Sequence, residues 1–129
     1  MASSGFQFTP SHRNLAQHVF FTEVKEGKYA EYKNYHDNIW PDVVSGLRTN
    51  GVSYLSIYNV PNTNKLVMIV EMAGGVDMGK ALGPGSRYRE NPKCKEWEEL
   101  MDADFHGGWI EMNRIHSSEK EWNKSLGLC

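Results

Sequence analysis

Only two cysteines occur in the 129 residues, Cys94 and Cys129. Their separation matches neither metal-ligand spacing nor a framework of paired bridges, which excludes a disulfide-stapled scaffold and fits a reducing compartment. Net charge is equally scarce. Fourteen Lys and Arg against sixteen Asp and Glu give a formal charge of -2, too little field to capture nucleic acid or an anionic membrane, and neither partner is expected. No apolar run approaches the roughly 20 residues that cross a bilayer. The opening MASSGFQFTPSHRN lacks the basic region and apolar run of a secretory signal, so a cytoplasmic location is expected. The five histidines are scattered and none forms a two-histidine helical pair, so no metal site is expected. GGVDMGKALGPG is rich in glycine but lacks the closing Gly-Lys-Ser/Thr that cradles phosphate, and no serine lies in a nucleophile turn.

What is present suits one globular domain. The chain length supports one hydrophobic core. Residues 1–15 mix Ser, Gly, Pro, Thr and Asn without a period and read as a flexible leader, with a single domain over 16–129 that ends in a polar tail, Ser117–Cys129. Gln17–Val24 is short, aromatic and β-branched, and reads as a strand with His18, Phe20, Thr22 and Val24 on one face. Tyr29, Tyr32, His36, Ile39, Val43 and Leu47 recur at spacings of three and four, one helical face against a core. Trp40-Pro41 splits that helix, because a residue before proline is pushed out of helical geometry while proline suits the first turn of a new helix. Asp37 and Asn38 sit where capping oxygens are wanted.

After Asn50-Gly51, Val52–Val60 alternates, with Tyr54, Ser56 and Tyr58 opposite Ser53, Leu55 and Ile57, and a turn at Pro61–Asn64 leads into the apolar run Lys65–Met72 as a hairpin. Ala73–Arg89, with five glycines and Pro84, reads as a long loop with a helical fragment, a possible lid. Asn91-Pro92 opens a second long helix by the Ncap and N1 rule, with Cys94, Trp97, Met101 and Phe105 inward until Gly107-Gly108. Trp109–His116 alternates as the last strand. The order βαββαβ predicts an α+β, ferredoxin-like domain with both helices on one face of a four-stranded antiparallel sheet. Its second sheet face carries too many apolar and aromatic side chains to be left in water, so a homodimer packed sheet to sheet is expected.

Tyr32 and His36, four residues apart, project from one helical face, and a histidine beside a helix break can reach a cavity while titrating near neutral pH. With Trp40, Trp97 and the second-strand tyrosines, Tyr54 among them, they form the candidate constellation. For His36 alone, satisfying a backbone group is the commoner role, and indoles at helical spacing are more often core than ligand platform. Sugar sites do use indole faces with a few orienting polar groups.

The stretch YHDNIWPDVVSGLRTNGVSYLSIY resembles the L-rhamnose mutarotase family, in which a Tyr, a His four residues on and an Ile-Trp-Pro-acid run precede a glycine and a strand ending in Ile-Tyr. KLVMIVEM, and Trp97 with Met101, resemble later parts of the same pattern, so the likeness spans roughly Gln17 to His116. It implies a dimeric α+β barrel that exchanges the α and β anomers of a sugar without a cofactor, with His36 as proton donor and Tyr32 and Trp97 on the sugar. Two positions depart from the pattern. Leu55 stands where the family carries a sugar-contacting tyrosine, with Tyr54 adjacent on the other strand face, and Glu98 replaces a second tryptophan beside Trp97. The candidate site is therefore catalytic His36 with Tyr32, Trp97, Trp40, Tyr54 and Glu98 as substrate contacts, acting on L-rhamnose or a similar 6-deoxy sugar. The alternatives are an inactive sugar- or metabolite-binding homologue and a cofactor-free oxygenase of the same fold.

Overall fold

A computed structural model describes residues 15–118. The leader expected over 1–15 and the tail with Trp122 and Leu126 lie outside them, apart from the residues at 15, 117 and 118. Four strands, β1 (Leu15–Glu23), β2 (Val52–Asn59), β3 (Lys65–Ala73) and β4 (Ile110–Glu111), form one antiparallel sheet in the order β2-β3-β1-β4. Helices α1 (Tyr29–Asp37) and α2 (Pro41–Thr49) follow β1. A short α3 (Met78–Leu82) and a 3₁₀ turn (Tyr88–Glu90) follow β3, and α4 (Pro92–Leu100) runs directly into a π-helical turn (Met101–His106). This is the expected ferredoxin-like α+β order.

The break in the first helical region forms as the sequence dictates. Trp40 is extended (φ -67°, ψ 132°) and Pro41 opens α2. The expected caps at Asp37 and Asn38 do not start α2: Asp37 pairs with Lys33 at 2.7 Å, and Asn38 instead ends α1, donating from its side chain to the Asn34 carbonyl at 3.0 Å. At α4 the rule holds in full, with Asn91 Oδ1 accepting from the Lys93 and Cys94 amides at 2.8 and 3.4 Å and Pro92 at the first helical position.

A bulge near Ser53 sets the inner face of β2. Val52 pairs with Met72 and Tyr54 with Glu71, so the extra residue turns Val52 inward alongside Leu55 rather than outward with Tyr54. Phe20, Val52, Val70 and Met72 bury together, and Val24, Tyr32, Val43, Leu66, Trp97, Met101 and Phe105 form the adjoining core between sheet and helices. The final strand is much shorter than the expected Trp109–His116. Only Ile110 and Glu111 pair with β1, and the Met112 amide adds one bond to the Val19 carbonyl at 2.7 Å. Beyond it the alternation of 113–116 has no partner strand among the described residues.

Candidate functional site

Tyr32 and His36 meet at one wall of a partly open cavity of about 190 Å³ between the sheet and the helices. Tyr32 is only 3% exposed, and its hydroxyl has no partner among the described residues. His36 sits in the last turn of α1, where its ring lies 4.3 Å from that of Tyr32 and 5.1 Å from the Trp97 indole. His36 Nδ1 is 2.9 Å from the Tyr32 carbonyl. A carbonyl only accepts, so Nδ1 carries hydrogen in both charge states and Nε2 is the nitrogen that titrates. Burial holds the His36 imidazole below its usual range, with the Tyr32 carbonyl opposing the shift. Burial likewise raises the Tyr32 phenol, with the nearby Glu98 carboxylate adding to it, so it stays protonated near neutral pH.

Helix α4 supplies the facing wall. Trp97 is buried, and one residue on, Glu98 turns its carboxyl to the same space. Glu98 Oε2 accepts the Tyr88 hydroxyl at 2.8 Å. Burial raises the Glu98 carboxyl above the normal carboxylate range; the Tyr88 bond and Arg89 oppose this without cancelling it. Much of the remaining surface is apolar: Phe20, Leu55, Ile57 and Met68 come from the sheet, and Met78 and Leu82 from the glycine-rich connection. That connection is therefore a wall of the site as well as a loop.

Tyr32, His36, Trp97 and Glu98 are thus brought together, and two expected contacts are not. Tyr54 lies on the outer sheet face, 45% exposed, because side chains alternate along β2 and Leu55 holds the inward position. Trp40 lies behind the site, its ring 5.2 Å from Trp97 and covered on one side by the Lys93 ammonium at 5.3 Å; it supports the Trp97 indole. Among the described residues no cluster of three or more His, Cys, Asp or Glu side chains could hold a metal ion.

Reading the sequence missed His106, Trp109 and Tyr88. His106 and Trp109 line the cavity with rings 4.9 Å apart, and His106 meets the Tyr32 ring edge-on at 5.3 Å. Their only signal is the run Phe105-His106-Gly107-Gly108-Trp109, in which the two glycines read as a helix stop. Gly107 does take a left-handed φ of 68°, and that reversal folds both rings back into the site.

The sequence profile of the family described as L-rhamnose mutarotase matches residues 17–127. An L-rhamnose mutarotase of Clostridium beijerinckii is 40% identical over 87 residues, covering 67% of this chain and 77% of that protein. One of Bacillus subtilis is 37% identical over 98 residues, covering 71% and 88%. Among solved structures, an L-rhamnose mutarotase of Formosa agariphila superposes with a TM-score of 0.62 at 24% identity, over 79% of this chain and 97% of that one. A putative antibiotic biosynthesis monooxygenase of Bordetella bronchiseptica gives 0.53 at 11% identity, over 80% and 99%. At these identities the two structures speak for the fold alone.

Proposed function

The chain belongs to the L-rhamnose mutarotase family, and we propose that it interconverts the α and β anomers of L-rhamnose, or of a similar 6-deoxy aldose, with His36 as its proton donor. The family membership does not favour the oxygenase or the inactive-homologue reading. One observation carries the role of His36: its Nδ1–H is held by the Tyr32 carbonyl, which leaves Nε2 for a ligand beside the unpartnered Tyr32 hydroxyl and the Trp97 indole. Anomer exchange needs a proton delivered to the ring oxygen as the C1–O5 bond breaks and the anomeric hydroxyl becomes a carbonyl. Rotation about C1–C2 and return of the same protons close the other anomer. An imidazole fixed at one nitrogen and titrating at the other can give and retrieve that proton. Tyr32 orients a sugar hydroxyl, and Trp97 offers an apolar face to the C–H side of the ring. Glu98, with its carboxyl held by Tyr88, accepts from a second hydroxyl.

Two-dimensional NMR exchange spectroscopy on L-rhamnose tests this directly. Cross-peaks between the anomers should grow faster with protein than in buffer, and His36→Gln should return them to the buffer rate. Full activity in His36→Gln, or no acceleration by the wild type, overturns the reading.

A homodimer joined through the outer sheet face extends the proposal. Tyr58, Val67, Phe21 and Ile110 are consecutive cross-strand partners and so make an apolar row over all four strands on that face. Tyr58 and Ile110 are more than half exposed in the single chain, and a second copy would cover them. Light scattering should give twice the chain mass, falling to one in Phe21→Glu. The free, buried thiol of Cys94 suits a reducing compartment, and no described helix is long and apolar enough to cross a membrane; both agree with the cytoplasm.

A further inference from the structure

Ring opening moves two protons, one to O5 and one from O1, while His36 accounts for the first alone. The cavity holds a second imidazole with the same bonding pattern. His106 Nδ1 lies 2.6 Å from the Gly107 carbonyl, so it too carries hydrogen at Nδ1 and titrates at Nε2. Its ring meets the Tyr32 ring edge-on at 5.3 Å, and His36 packs on Tyr32 at 4.3 Å. One buried phenol therefore touches both imidazoles, and its hydroxyl has no partner among the described residues.

The position of His106 is built rather than incidental. It ends the π-helical turn that continues α4, a widened geometry that redirects side chains and recurs at functional sites. Gly107 then reverses the chain, and the buried Thr22 hydroxyl on β1 lies within hydrogen-bonding distance of the carbonyls of His106 at 3.2 Å and Gly108 at 3.1 Å. The Lys25 amide and ammonium add bonds to the carbonyls of Phe105 and Ala103, at 2.7 and 2.6 Å. Strand β1 and the segment that follows it thus hold the turn carrying this imidazole.

We propose that His106 is the second catalytic residue of the site, the base that takes the O1 proton while His36 protonates O5. This rests on the mutarotase reading above. In the opening step the O1–H electron pair becomes the second bond of C1=O1, the proton passes to His106 Nε2, the C1–O5 pair goes to O5, and O5 takes the proton from His36 Nε2. After rotation about C1–C2, O5 attacks C1, its proton returns to His36, and His106 returns its proton to O1. Atoms and charge balance over each turnover, one proton having been shared by the pair throughout. The titratable and charged groups facing His106 are Tyr32 and His36 from α1, Glu98 from α4 and Asp102 on its own turn, with Lys25 from the segment after β1 bonded to the same turn.

The test compares wild type, His106→Asn and His106→Gln in exchange spectroscopy on L-rhamnose, with binding of the same sugar followed by tryptophan fluorescence. Asparagine keeps a donor for the Gly107 carbonyl while lacking the titrating nitrogen, and glutamine guards against a folding defect of the first variant. Turnover should fall on the order of 100-fold or more in both, with affinity within about threefold and one of the two limbs lost from the pH–rate profile. Turnover close to wild type in either folded variant overturns the role of His106 and leaves that of His36 standing. Parallel loss of affinity and turnover makes His106 only a wall of the pocket, which also overturns it. A wild type that does not accelerate exchange removes the mutarotase reading and the pair together.

Discussion

Tyr88 donates its hydroxyl to Glu98 Oε2 at 2.8 Å, tying the 3₁₀ turn before α4 to the carboxyl beside Trp97. Tyr88 is almost fully buried and its phenol is pushed up, first by burial and then by that carboxylate, so it acts as the donor near neutral pH. The pair anchors the glycine-rich connection to the wall of the site. It also keeps a half-buried carboxyl away from bulk water, at a cost that depends on charge.

That cost sets a first prediction. The Glu98 carboxyl is raised in the fold, so the folded state holds its proton more tightly than the unfolded chain. Its contribution to stability is complete below the unfolded value of 4.5 and is lost as pH rises through the folded value. Glu98→Gln accepts the same Tyr88 hydrogen bond without the charge. Thermal melts should find the variant gaining on wild type as pH rises from 4.5 toward neutrality; a constant difference across that window would contradict the buried charge.

The two histidines predict the opposite flank. Both are lowered, by burial first, so the unfolded chain binds their protons more readily than the fold does. Their contribution is present above the ordinary value of 6.5 and is lost as pH falls through it toward the folded values. Melting temperature of the wild type should drop on acidification below 6.5, and His36→Gln with His106→Gln should flatten that part of the profile. An unchanged slope in the double variant would place the acid sensitivity elsewhere.

Element types and order were legible from periodicity, the Trp40-Pro41 break and the Asn91-Pro92 cap, because each is a local backbone constraint. Tyr32, His36 and Trp97 could be picked out for a similar reason, since helical spacing projects them from known faces. Glu98 was reached only through the family resemblance. Tyr54 and Trp40 fall outside the cavity lining because the choice between strand neighbours, and between front and back of an indole pair, is made by tertiary packing. His106 stayed hidden because its direction comes from a π turn and a left-handed glycine, neither of which has a period to read. The bulge at Ser53 escaped for the same reason: it shifts Val52 inward without altering the alternation from Tyr54 to Tyr58.

The Tyr32 phenol, which has no partner among the described residues, separates stability from function. A buried hydroxyl without a partner costs the fold, so removing it is neutral or stabilising by up to about 1 kcal/mol. Tyr32→Phe should melt at or above the wild-type temperature, while its exchange rate on L-rhamnose falls at least tenfold as the sugar loses that hydroxyl. A variant both stable and fully active would show the hydroxyl to be a packing accident.

The last prediction concerns the joint behind the site. Gly46 on α2 passes so close to α4 that a Cβ there would stand 2.7 Å from Cys94 Sγ and 3.1 Å from the Tyr88 ring. Neither neighbour moves freely. Cys94 Sγ donates to the Asp42 carbonyl at 3.3 Å, and Tyr88 is held by Glu98. Gly46→Ala should therefore destabilise by about 1–3 kcal/mol in urea unfolding, despite the usual gain from alanine inside a helix. Cys94→Ala removes the nearer of the two contacts, so the double variant should lose less than the sum of the single effects. Strict additivity would mean that Tyr88, not Cys94, sets the separation of the two helices. Because Tyr88 positions Glu98, Gly46→Ala alone should then also weaken sugar binding.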